Sequence, residues 1–242
     1  MKSNKEIYSE IRKLVSKVER SSPCLSNSGL SYSFYTKLKC LEIMQKYTLQ
    51  RIQECFDTAK EERKNSIHLR DMGKLLDESV AFFEACLNAF YSFLQIIAKV
   101  TPYFYDREKL SEPIPDRDFG SQIDHFKKKP DVDDKYSNYL TNNIEWYKDF
   151  VDNRHAITHN VSAFLGFGKE EVEFIDMPEG RIDFFKTGKP TKELEKYILT
   201  NWDSLFKFLD FYAEHFSSCE VFVDKEAEAK ELWKILRKHT SE

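Results

Sequence analysis

The tract from Val80 to Val100 is the most apolar stretch of the chain, yet Glu84, Asn88, Gln95 and Lys99 interrupt it. A membrane span of about 20 residues carries few or no charges. This tract therefore fails as a span and predicts a helix buried by other protein segments. The pattern extends upstream to about Asp71, with Leu75, Leu76, Phe82, Phe83, Leu87, Phe90, Phe93, Leu94 and Ile97 recurring at helical spacing. A helix this long and apolar is stable only when neighbours cover most of its surface. The chain is accordingly predicted to be mainly α, a helical bundle. Only seven Gly and seven Pro occur in 242 residues, too few for a turn-rich all-β fold.

Other helices follow from the same periodicity. Ile7, Ile11, Leu14, Val15 and Val18 predict an amphipathic helix over Ser3 to Glu19. Arg20 to Gly29 reads as a loop. A second helix is predicted from near Ser31 through Phe56 to a charged end at Lys60 to Lys64. Thr101 to Gly120, with Pro102, Pro113 and Pro115, predicts a long irregular crossover. A short helix, Ser121 to Lys129, precedes a main later helix from about Asp131 to Thr158. Val161 to Phe167 can extend as a strand. Glu171 to Ile175 alternates, Met177 to Gly180 turns and Arg181 to Phe185 returns, which predicts a small β-hairpin inserted between two core helices. Thr191 to Phe216 and Asp224 to Lys238 are predicted helices.

The length suits a single domain, read as an N-terminal helical extension over 1–66, a core over 71–216 and a final helix over 224–238. Charged residues are mixed in sign and the formal net charge is −4, so no global positive field gathers nucleic acid. Lys127-Lys128-Lys129 is the only concentrated basic run, with Arg181, Lys186, Lys189 and Lys192 as a scattered supplement around the hairpin. The five cysteines lack a C-x-x-C pair and suit free thiols in a reducing compartment. No apolar stretch follows the charges of Met1 to Glu6, so a secretory signal is not expected and a cytoplasmic location is.

Chemistry concentrates in Asp152-Asn153-Arg154-His155-Ala156-Ile157-Thr158-His159-Asn160. An arginine fork matches phosphate oxygens bidentately. Histidine exchanges a proton near neutral pH. On a helix, Asp152, His155 and His159 share one face, whereas Arg154 starts off that face and reaches toward it through its long side chain. The segment also admits a metal reading. His155 and His159 stand at H-x-x-x-H spacing, with Asp152 as a third ligand and Glu84 or Glu214 from a facing helix to complete the set. Position 156 is Ala, so the H-E-x-x-H glutamate is missing. A solvated helix end with a structural histidine is the plainest alternative.

Arg154 to His159 resembles the R-x4-6-H motif of the HEPN superfamily, with His155 at the polar position that follows the arginine. The resemblance covers roughly Asp71 to Phe216. It implies a helical bundle with the motif at the end of a core helix. It also implies metal-independent cleavage of single-stranded RNA by 2′-hydroxyl attack, with no cofactor and with two motifs meeting across a homodimer. Carried over, Arg154 would hold the phosphate and His159 would move protons, as the catalytic pair. His155, Asn153 and Asn160 would contact RNA or orient the pair. Glu84 on the preceding helix would take a polar supporting place. A defence or toxin setting is implied, with an antitoxin as partner in the toxin case. The resemblance leaves open a non-catalytic nucleotide-binding or protein-interaction role.

Overall fold

The computed structural model describes residues 2–22, 25, 29–65, 69–159, 164–167, 172–175, 191–223, 229 and 233. It is mainly helical. Seven α-helices are described: α1 (Asn4–Ser21), α2 (Leu30–Asn65), α3 (Leu69–Val100), α4 (Phe119–Lys128), α5 (Asp134–Asn143), α6 (Glu145–His159) and α7 (Thr191–Phe216). Short 3-10 turns occupy Thr101–Phe104, Arg107–Lys109 and Pro130–Val132.

Local chemistry sets most of these ends. Ser3 and Glu6 form a reciprocal capping box that starts α1. Gly29 adopts φ +61°, a left-handed conformation that a side chain would strain, and its carbonyl accepts from the Ser33 N–H as α2 begins. Asp118 accepts from the Ser121 N–H at 2.6 Å and opens α4; Asp133 accepts from the Tyr136 N–H at 2.9 Å and opens α5.

The single later helix expected over Asp131 to Thr158 is instead two, α5 and α6, separated at Ile144. Thr141, Asn142 and Asn143 each turn their side chain back onto the carbonyl four residues earlier. Such back-bonding competes with the helix ladder, and Ile144 leaves helical geometry while burying its side chain.

Two four-residue strands, β1 (Phe164–Phe167) and β2 (Val172–Ile175), pair antiparallel with Phe164 opposite Ile175. This is not the hairpin expected about the Met177 to Gly180 turn. Residues 176–190 lie outside the described residues, so that inserted hairpin is unsupported. The expected helix over Asp224 to Lys238 also lies largely outside them.

The chain divides into two compact units, and the division does not run in order along the sequence. One unit holds Met1–Lys37, Ser92–Ile144 and Phe206–Glu242; the other holds Leu38–Tyr91 and Glu145–Leu205. The first is built around Tyr136, fully buried among Phe126, Phe216, Phe211 and Tyr212. Its irregular crossover is held by Gln122, whose Nε2 donates to the Ala98 and Pro115 carbonyls at 3.1 and 2.8 Å.

In the second unit α3 is central. Tyr47 of α2 stacks on Phe82 at 5.6 Å, Tyr197 of α7 meets Phe83 edge-on at 6.4 Å, and Phe150 of α6 lies 4.4 Å from Phe90. Aromatic pairs of this kind add roughly 0.5–1.5 kcal/mol each beyond area burial. Most of the described aromatic side chains therefore serve packing. Tyr32, Tyr35, Tyr47 and Trp233 are the exposed ones.

Asp77–Phe104 is long and apolar enough, by length and composition, to cross a membrane. Its polar groups instead bond within the protein: Gln95 Oε1 accepts from the Phe119 N–H, and Thr101 pairs with the Tyr212 hydroxyl. These are the contacts of a core helix.

Candidate functional site

The expected motif lies on α6, and that helix docks on α3 by one stripe. Trp146, Phe150 and Arg154 follow one another at intervals of four, so they share a face. Trp146 and Phe150 pack on Phe90, with centroids 5.7 and 4.4 Å away. Arg154 continues the stripe where it turns polar. Its Nε donates to Asn88 Oδ1 at 3.0 Å, and its guanidinium carbon stands 4.2 Å from the centroid of the Tyr91 ring.

Arg154 is thus held in two ways. The Asn88 bond uses one of the five donors of the fork and fixes its plane. The Tyr91 ring offers its electron-rich face to the cation. Asn88 and Tyr91 are three residues apart on α3, and Glu84 stands one turn before Asn88 on the same face. Glu84 is half-buried, and among the described residues it forms no ion pair with Arg154.

The other expected site residues are placed as follows. His155 and Asp152 are exposed on α6. Arg154 does not swing toward them as expected; packing of α6 on α3 and the Asn88 bond direct it to α3 instead. His159 is the last residue of α6. The side chains of Asn153 and His159, and the whole of Asn160, lie outside the described residues.

Asn88 and Tyr91 were not expected as site residues. One signal in the sequence pointed to Asn88. An amide in an apolar core helix needs a hydrogen-bonding partner, and an arginine at a helix end can supply it. Tyr91 carried no comparable signal.

A second concentration of polar groups occurs in the first unit. Asp133 Oδ2 accepts from the Tyr105 hydroxyl at 2.8 Å and lies 2.7 Å from His215 Nε2. The His215 ring lies nearly parallel to Tyr136 and Phe211, with centroids 5.7 and 5.5 Å away. Burial pushes the Asp133 carboxyl up, but the bonds from His215, the Tyr136 N–H and Tyr105 outweigh it and hold the group below its ordinary range. Burial and the facing carboxylate drive the Tyr105 hydroxyl upward, so it stays a donor. Oδ1 caps α5 and Oδ2 joins that cap to Tyr105 and to α7, which marks the carboxylate as structural. His125 is also buried, with Nδ1 3.5 Å from Glu112, and burial lowers its pKa. Neither histidine showed a pattern in the sequence, because each partner stands far away along the chain or in an irregular segment.

Among the described residues no three His, Cys, Asp or Glu side chains are grouped to hold a metal ion. The set of Asp152, His155 and His159 includes a side chain outside that description. Comparison with protein-family models, with curated proteins and with solved structures gave no match.

Proposed function

We propose that this chain is a metal-independent endoribonuclease of the HEPN type, acting on single-stranded RNA in the cytoplasm as part of a defence or toxin system. One observation carries the reading: Arg154 of the R-x4-H segment is held against α3 by Asn88 and Tyr91. A fork held in this way is ready to receive a phosphodiester and to offset the charge that builds on its oxygens during reaction.

In this reading His159 takes the proton of the 2′-hydroxyl. The O2′–P bond forms, the P–O5′ bond breaks, and a proton passes to the departing 5′-oxygen. The products are a 2′,3′-cyclic phosphate and a 5′-hydroxyl. Proton transfer of this kind contributes about 10²–10⁴ in rate. In this reading the arginine of one copy works with the histidine of a second. A homodimer with both motifs at its two-fold axis supplies that arrangement. His155, Asn153 and Asn160 contact the RNA strand, and Glu84 supports the α3 face. An antitoxin is the partner in the toxin setting.

The test compares wild type with Arg154→Ala and His159→Ala on single-stranded RNA in EDTA. Cleavage by wild type alone, leaving 2′,3′-cyclic ends, supports the reading. Equal RNA loss in all three samples overturns it. The hold of Asn88 and Tyr91 on Arg154, with His155 exposed, favours one second reading, a non-catalytic nucleotide-binding or interaction protein. Its mark is phosphate-dependent binding without cleavage, unchanged in His159→Ala. Stoichiometric metal lost on mutation of His155 and His159 would favour a helical metal-dependent hydrolase instead.

A further inference from the structure

We infer that Asn88 and Tyr91 are positioning residues that preset the Arg154 fork for one phosphate group. The inference rests on the reading that Arg154 receives a phosphodiester, and it adds how the protein prepares the arginine for that task. An unrestrained arginine side chain has much rotamer entropy to lose on ordering. Here two contacts remove much of that freedom before the ligand arrives.

The two contacts act on different parts of the group. Asn88 Oδ1 accepts from Nε at 3.0 Å, on the inner edge of the guanidinium. That bond leaves the two terminal amino groups to form the parallel pair of bonds that a phosphate accepts. Tyr91 covers a face of the same cation, with 4.2 Å from guanidinium carbon to ring centroid. The ring restrains rotation of the plane and keeps water from that face, which strengthens the cation's field toward an anion at its edge. Both residues project from one turn of α3, and that helix is anchored in the same unit by the Phe90–Phe150 contact. The site is thus borne by two packed helices rather than by a loop, and rigid elements of this kind hold geometry most closely.

The ligand class is a phosphate diester or monoester presented singly. The two terminal amino groups left by the Asn88 bond match the two oxygens of a single phosphate group.

The experiment measures binding of a 2′-O-methyl RNA oligonucleotide, which cannot be cut, and cleavage of the unmodified strand. It uses the full chain and the variants Asn88→Ala, Asn88→Asp, Tyr91→Leu and Tyr91→Phe. Thermal midpoints establish that each variant is folded. The ¹⁵N spectrum of the arginine Nε–H groups reports whether Arg154 is still held. Asn88→Ala and Tyr91→Leu are expected to weaken binding by roughly three- to thirtyfold, the range that a cation–π contact or one charge-assisted bond spans. Tyr91→Phe, which keeps the ring, is expected to regain most of that loss, whereas Asn88→Asp keeps the acceptor and the held Nε–H signal but adds a negative charge beside the phosphate and is expected not to regain binding. A merely structural role would follow the thermal midpoint and not the presence of acceptor or ring.

The outcomes separate the two proposals. Binding without cleavage, weakened as expected in the variants, removes the ribonuclease reading and keeps the positioning role. Cleavage by wild type with kcat and KM unchanged in Asn88→Ala and Tyr91→Leu keeps the ribonuclease and overturns the positioning role. A wild type that neither binds nor cuts removes both.

Discussion

His215 Nε2 and Asp133 Oδ2 lie 2.7 Å apart, so the last turn of α7 and the cap of α5 share one partly buried hydrogen bond. The same carboxylate also receives Tyr105 and the Tyr136 N–H. Its pKa is held below the ordinary carboxylate range in the folded protein. A carboxyl depressed in this way contributes stability above its unfolded pKa of about 4 and loses that contribution as pH falls through its folded value. Asp133→Asn is expected to cost about 1–2 kcal/mol near neutral pH. The gap to wild type is expected to narrow below about pH 4. Urea midpoints at several pH values check this, and a gap that stays constant would show that the ionised form is not what stabilises.

Gln122 is buried and ties Ala98 of α3 to Pro115 of the crossover. Replacing it by Leu strands two carbonyls without their donor, a cost of roughly 2–3 kcal/mol. Hydrogen exchange is expected to speed up first across 101–118, ahead of α3 itself. Uniform acceleration along the chain would assign the effect to packing instead.

Phe90 is buried and touches both Trp146 and Phe150 of α6. Phe90→Ala is expected to destabilise by about 3–4 kcal/mol through lost burial and the remaining cavity. Phe90→Leu keeps most of the volume and is expected to cost much less. Denaturant unfolding of the two variants measures the difference.

Burial pushes the Cys86 thiol up to about 12, so it is neutral throughout the physiological range. The thiolate is the nucleophile, so a thiol this weakly acidic is inert. Iodoacetamide at about pH 8 is expected to leave Cys86 unmodified in the folded protein and to reach it after unfolding. Peptide mass spectrometry reads the outcome directly; labelling in the native state would show that the α3 face opens there.

Arg154→Lys keeps the charge and discards both the Nε donor and the planar fork. It is expected to lose the Asn88 bond and to impair RNA binding nearly as much as Arg154→Ala. Recovery of most binding by Lys would show that a point charge at this place suffices.

Much of the helical frame is written in local patterns. Thr191 to Phe216 has the same limits in the sequence reading and in the structure, because Thr191 and Glu193 mark its start and the apolar spacing holds to Phe216. α3 begins at Leu69, two residues before the expected Asp71, where periodicity gives no sharp limit. The break at Ile144 was missed, since the apolar pattern runs on from Leu140 through Trp146 while three side chains compete for the carbonyls of Ser137, Asn138 and Tyr139.

Helix identity was legible because a helix depends on residues three and four positions apart, and those are neighbours in the sequence. The partners of the polar side chains were not. Arg154 meets Asn88 across 66 positions, and His215 meets Asp133 across 82. Any of several polar residues on a facing helix satisfies an arginine equally well on paper. Which one does so depends on the rotation and height at which two helices pack, and that is fixed by the joint fit of Phe90, Trp146 and Phe150 rather than by any residue alone. The sequence by itself determined that this chain builds helices around an apolar centre and carries an arginine and two histidines at the end of one of them. The tertiary structure alone decided that the arginine faces α3, because packing chooses among contacts that local patterning leaves equivalent.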